Sequence, residues 1–173
     1  MKDGGWYDTD SSGSITTRYP CPADVVKLRT YAGPAAEDAP GTRTGGVPLT
    51  PPGFVWPRCR VCAGPMQFLA QISLADVEAG AAGLLSIFMC QNDPGLCDEW
   101  DPTSGAHRAF GFGPDAGEIA TPPDEGITLL DETCAIRLEE GHNHRTAANF
   151  GGGGCAYGYR CRQCNTAAFL WQR

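Results

Sequence analysis

A Cys-x-x-Cys turn, Cys59-Arg60-Val61-Cys62, stands directly in front of the apolar run Met66–Ile72. This pair constrains the fold strongly because little else is available to build an interior. Leu, Ile, Val and Phe together make up only 30 of the 173 residues, while glycine and proline number 37. The 16 aromatic residues and a charged fraction of 19% nevertheless indicate a folded domain with a thin core, not a disordered chain. Domains of that kind are commonly held by staples, either metal ions or disulfides.

Three chemistries fit two thiols at this spacing. On a tight turn, two intervening residues let both sulfurs reach one zinc ion at about 2.3 Å. Gly64 is expected to supply the unusual backbone angle that such a turn needs. A redox pair has the same spacing, but it opens a helix whose N-terminus lowers the thiol pKa. Here Gly64-Pro65 and a β-type run follow instead. Complete disulfide pairing within one chain is impossible with nine cysteines, and a structural disulfide is, like the redox pair, the less favoured reading for a chain in a reducing compartment. The opening residues, Met1–Asp10, show no apolar stretch of secretory type, so the expected compartment is the cytoplasm, where thiols stay reduced.

Charge and hydropathy narrow the partners. No run approaches the roughly 18 apolar residues of a membrane span, so no membrane association is expected. Acidic residues number 20 against 13 basic, a net charge of −7. That balance disfavours nucleic acid, which calls for clustered Lys and Arg, and suits a basic protein partner.

Along the chain, residues 1–20 are polar and read as a loose lead-in, and residues 21–173 read as one domain. Residues 22–32 suit a short helix, and residues 33–53 an ordered, irregular loop rich in Gly, Pro and Thr. Met66–Ile72 and Leu84–Cys90 read as buried strands. Between them Ser73 and Asp76 suggest a partial capping box for a short helix, Leu74–Ala79, ended by Gly83. Shorter strands are expected at Arg108–Phe112, Ile127–Leu130, Cys134–Leu138, Ala156–Arg160 and Thr166–Gln172. The fold class is therefore α+β: a β-rich single domain of antiparallel sheets with few short helices, stapled by a four-cysteine zinc site.

A structural zinc requires a second pair of ligands. Cys161 and Cys164 have the regular spacing, but their approach to the first pair cannot be judged from pattern. Cys90 and Cys97 have a topological argument. If the strand leaving Met66 pairs antiparallel with the strand ending at Cys90, Cys90 returns to the turn, and the loop Asn92-Asp93-Pro94-Gly95 brings Cys97 round to the same ion.

The pattern Cys-x-x-Cys-x-Gly-Pro-Met-x-Phe-Leu-x-Gln-Ile, followed after about twenty residues by Leu-x-x-Phe-x-Cys and a further Cys, resembles the programmed cell death protein 2 family. It also resembles the bacterial YwqG-like family of unknown function. The lead-in Gly45-Gly46-Val47-Pro48-Leu49 with Pro57 is similar in both. The tail Asn149–Tyr157 with Phe169–Gln172 resembles small actinobacterial members of the group. The likeness covers roughly residues 44–104 and 149–172. It implies one tetrathiolate of Cys59, Cys62, Cys90 and Cys97, and in the eukaryotic members a chaperone role for a ribosomal protein.

Remaining features have plainer readings. His142-Asn143-His144 reads as a solvated turn, although His142 or His144 with Cys161 and Cys164 offers a second candidate metal site, and with it an enzyme as the alternative function. Gly151–Gly154 lacks the Lys-Ser/Thr of a phosphate loop and reads as a bulge or close backbone approach. Asp98-Glu99-Trp100-Asp101 reads as a solvated acidic loop that could meet a basic peptide. His107 reads as a surface or packing residue, and Cys21, Cys134 and Cys155 as small buried apolar groups. The expectation is a cytoplasmic zinc-binding, protein-interacting module of chaperone-like or immunity type, with a structural metal and no catalytic residue.

Overall fold

The structure is a computed structural model that describes residues 6–9, 15–18, 27–99, 101, 103–140, 155–161 and 166–172. Its strands in chain order are β1 (Trp6–Thr9), β2 (Ile15–Arg18), β3 (Lys27–Pro34), β4 (Arg43–Thr44), β5 (Leu49–Thr50) and β6 (Gln67–Ser73). After the single helical turn α1 (Leu74–Val77) come β7 (Leu84–Met89), β8 (His107–Phe112), β9 (Glu118–Ile119), β10 (Cys134–Glu140), β11 (Cys155–Arg160) and β12 (Ala167–Gln172). The central sheet has six strands in the order β3-β10-β4-β6-β7-β8, and every neighbouring pair is antiparallel. The pairs β1–β2, β5–β9 and β11–β12 form separate two-stranded sheets. The chain is thus mostly antiparallel sheet with very little helix.

The register of the β6–β7 hairpin explains where the core lies. Phe68 stands opposite Phe88, and Gln67 opposite Met89. Side chains alternate across a strand, so Phe68, Phe88 and Phe110 share one face while Leu85, Ile87 and Met89 point to the other. The first face carries an aromatic cluster. Phe88 lies 5.2 Å from Phe68, 5.4 Å from Trp56, 5.7 Å from Phe110 and 6.0 Å from Phe54 between ring centroids. The second face packs on Phe169 of β12. All six residues of β7 are consequently buried, as expected of a strand covered on both sides.

The segment before this hairpin departs from the expected irregular loop. It contains β4 and β5, and two buried polar side chains organise it. Arg43, 1% exposed, donates from Nε to the Ala39 carbonyl at 2.8 Å and from its two terminal nitrogens to the carbonyls of Gly45 and Val47. Its guanidinium lies 5.5 Å over the Phe68 ring. Burial lowers its pKa, with Asp38 opposing. Gln71, fully buried, accepts the Leu49 N–H at 3.1 Å and donates to the carbonyls of Ala39, Pro40 and Gly41. Gly45 and Gly46 both have positive φ, and a Cβ on Gly45 would sit 2.0 Å from the Glu132 carbonyl oxygen. The Gly-Gly pair is therefore a close crossing of two backbones.

Other expectations are corrected. Of the helix expected at 22–32, residues 27–32 belong to a strand, and the rest lie outside the described residues. Leu28 to Tyr31 pair residue by residue with Glu139 to Ile136, so an edge-strand role overrides a weak helical preference. The lead-in at 1–20, expected to be loose, holds the β1–β2 hairpin. Ile127–Leu130 is not a strand, although the Thr128 and Leu129 carbonyls accept hydrogen bonds from Phe68 N–H and Gln67 Nε2. The helix is only four residues long, and Ser73 makes no side-chain cap. Thr42 intervenes instead: its hydroxyl donates to Asp76 at 2.6 Å and accepts the Ser73 N–H at 2.9 Å. Gly83 does not end the helix, which closes at Glu78.

Replacing Arg43 with Met would leave three carbonyls without their donor, at about 1–3 kcal/mol each. Urea denaturation of Arg43→Met is expected to show a loss of at least about 3 kcal/mol through a lower midpoint. Arg43→Lys should recover little of it, because an ammonium cannot span the fork.

Candidate metal centre

The turn that presents Cys59 and Cys62 is closed by backbone hydrogen bonds. Cys59 N–H donates to Gly64 at 2.9 Å, and Ala63 N–H donates to Cys59 at 3.0 Å. Arg58 and Pro65 form a β-bridge beneath it. The left-handed residue is Ala63, with φ 60°, not Gly64 as expected. Gly64 is required for space: a Cβ there would stand 2.5 Å from Asn92 Nδ2. That atom donates to Cys90 Sγ at 3.3 Å, to Cys62 Sγ at 3.5 Å and to the Pro65 carbonyl at 3.1 Å.

β6 leaves the turn and β7 returns from α1, so Cys90 arrives beside it, anchored by its N–H to the Ala106 carbonyl at 2.7 Å. The following loop brings Cys97 to the same point. Leu96 N–H donates to Asp93 at 3.0 Å, and Gly95 N–H donates to Glu99 Oε1 at 2.5 Å. The Sγ atoms of Cys59, Cys62, Cys90 and Cys97 all lie within 4.8 Å of one another. Cys59, Cys90 and Cys97 are buried and Cys62 is partly exposed.

These distances decide between the chemistries. Cys62 and Cys90 Sγ are 3.6 Å apart, and all four thiols are free, whereas a disulfide needs about 2.05 Å. Four sulfurs at about 2.3 Å from a tetrahedral ion would be about 3.8 Å apart. The donor set therefore fits a tetrahedral metal ion bound by thiolates alone. Val61 N–H, 3.4 Å from Cys59 Sγ, and Asn92 supply hydrogen bonds to the sulfurs of the kind that orient and stabilise metal ligands.

Electrostatics point the same way. Burial raises the Cys62 thiol, but the Gly64 N–H and the Cys90, Asn92 and Cys59 side chains outweigh it and bring it down to about 7. Burial and then the neighbouring sulfurs hold Cys97 far above the ordinary range, and burial also raises Cys90. One thiolate forms readily, and its charge obstructs the next. Only a bound cation lets all four ionise together.

Among the described residues this is the one group of three or more metal-ligating side chains. Cys161 is exposed and does not join it. Cys164, His142 and His144, the rest of the second candidate site, lie outside the described residues, as do Cys21 and Gly151–Gly154. Cys134 is half-buried, less enclosed than expected. Two residues escaped the sequence reading. Asn92 stands inside a turn motif and was legible only as a turn former. Glu99, assigned to a solvated acidic loop, is 4% exposed, because its carboxylate closes the Cys97 loop. No described helix is long and apolar enough to cross a membrane.

No curated protein and no solved structure matches the chain. Residues 42–144, more than half of the chain and inclusive of all four thiols, match the family described as a domain of unknown function (DUF1963). The protein belongs to that family.

Proposed function

We propose that the chain is a cytosolic binding module whose loops are set by one structural zinc ion on Cys59, Cys62, Cys90 and Cys97. The observation that carries this is the convergence of four unoxidised sulfurs within 4.8 Å. All-cysteine coordination leaves no open position for a reactive water, which is the pattern of structural sites. Free buried thiols suit a reducing compartment. The loops that the metal joins display Val61 and Leu96, 53% and 76% exposed, and a net charge of −7 favours a basic partner. Binding energy at such a site becomes folding energy.

Elemental analysis of the purified chain is expected to give about one zinc per molecule, falling well below half in Cys97→Ser. Zinc unchanged in that variant, or a Cys59–Cys62 disulfide trapped by alkylation, would overturn the reading. A His142→Ala/His144→Ala double variant is expected to keep its zinc content. Loss of a second equivalent would instead favour the enzyme alternative, built with Cys161 and Cys164.

The pH response should differ with and without metal. Zinc-bound thiolates compete with protons, so the loaded protein is expected to release zinc and lose stability progressively as the pH is lowered. In the metal-free, reduced protein, Cys90 and Cys97 stay protonated when folded but ionise when unfolded. A pKa raised on folding contributes stability that is lost as pH rises past the ordinary thiol value of about 9. Thermal melts with and without chelator across pH 5–10 would show the two slopes.

A further inference from the structure

Beside the metal turn, but separate from its sulfurs, the edge strand β8 and the C-terminal strand β12 enclose a cleft of about 200 Å³ lined by Arg60, Thr103, His107, Arg108 and Phe169. Arg60 is carried there by the turn itself. Its N–H donates to the Gly105 carbonyl at 3.1 Å, and its aliphatic stem lies where a Cβ on Gly105 would fall. Neither Arg60 nor Arg108 has a carboxylate partner among the described residues, which is notable on a chain of net charge −7.

His107 adds a second requirement. It is 6% exposed, and its ring meets Phe169 edge-on at 5.9 Å between centroids. The Asp101 carbonyl takes a hydrogen bond from the imidazole, yet Nε2 is buried with no partner among the described residues. With its one N–H spent on Asp101, a neutral imidazole presents a bare lone pair at Nε2. Burial favours that neutral form by lowering the pKa, Arg108 adding to it and Asp101 opposing. The Thr103 hydroxyl donates to Asp101 at 2.8 Å, so the donors left for a ligand are the two guanidiniums. The Asp101 carboxylate is in turn engaged by the Thr103 N–H at 2.7 Å.

We propose that this cleft binds a small oxyanion that also carries a hydroxyl hydrogen, its charged oxygens held by Arg60 and Arg108 and its hydroxyl donating to His107 Nε2. Guanidinium forks match phosphate and carboxylate oxygens, and a buried lone pair without a donor is costly until a ligand supplies one. The volume lies below the about 300–1,000 Å³ of ordinary cofactor pockets, which limits the ligand to a few heavy atoms. Phosphate and a short hydroxycarboxylate share this chemistry.

The test is a titration of the purified full chain with inorganic phosphate and, separately, with lactate, at constant ionic strength in chloride, followed by ring carbon–proton NMR. The chain has three histidines, so His107→Gln assigns the His107 signal. A saturable shift of that signal is expected with one probe at low millimolar concentration, and the responding probe identifies the ligand class. Arg60→Gln and Arg108→Gln are expected to weaken binding at least tenfold while metal content and the melting transition stay as in the parent. Arg60 is exposed, so its variant tests the idea even if Arg108→Gln folds poorly. No saturable shift with either probe up to tens of millimolar, or equal shifts in parent and Arg60→Gln, would overturn the proposal.

Discussion

Four thiols gathered in one partly dry place cannot all ionise by themselves. Each thiolate raises the energy of the next, and burial adds to the cost, which is why Cys62 sits low and Cys97 high within one cluster. Left uncharged, the four groups are weak hydrogen-bonders in van der Waals contact, and that gives little reason for two distant loops to meet. A divalent ion removes the conflict, since attraction to the cation exceeds the mutual repulsion of the sulfurs. The arrangement is therefore understandable as a metal-binding geometry and hard to understand as a packing one.

The position of that cluster matters as much as its chemistry. Cys59, Cys90 and Cys97 belong to the same buried group as Met66, Phe68, Phe88 and Ala106, with Phe54 and Trp56 packed against it. The Trp56 indole donates to the Met66 carbonyl at 2.8 Å, tying the lead-in to the strand that leaves the turn. Loosening the sulfurs would thus loosen the aromatic layer over β6 and β7. On the same face of the sheet, beside that layer, the chain relies on side chain–backbone hydrogen bonding, where Arg43, its guanidinium over Phe68, and Gln71 order a segment that has few apolar residues of its own. The sulfur cluster and the polar clamp together tie down segments that a larger apolar core would hold elsewhere.

How much of this was legible follows from which signals are local. The runs at Met66–Ile72 and Leu84–Cys90 declare buried strands because both faces are covered, and a hairpin made from them must bring Cys90 back to Cys59. The candidate metal centre could therefore be reasoned out from four cysteines and one connection. The strand at Lys27–Pro34 was not legible, because its conformation is dictated by β10, more than a hundred residues away. Nor were β4 and β5, each two residues long and defined by partners instead of by periodicity. Glu99 misled for a related reason: an acidic run predicts solvent exposure on average, but a single loop N–H can draw one carboxylate inside.

His107 shows the remaining gap most clearly. A lone histidine between Ala106 and Arg108 carries no motif, and nothing in its neighbourhood along the chain distinguishes packing from binding. Its setting comes from three separate segments: the Cys59–Cys62 turn that places Arg60, the Asp101 carbonyl that accepts a hydrogen bond from the imidazole, and β12, which lays Phe169 against the ring. The turn that positions two sulfurs also positions the Arg60 guanidinium on its outer side. An ion that rigidifies Cys59 and Cys62 would therefore lower the ordering cost of a ligand bound to the residue between them. The Cys59–Cys62 turn thus sets the geometry of the neighbouring cleft as well as that of the sulfurs.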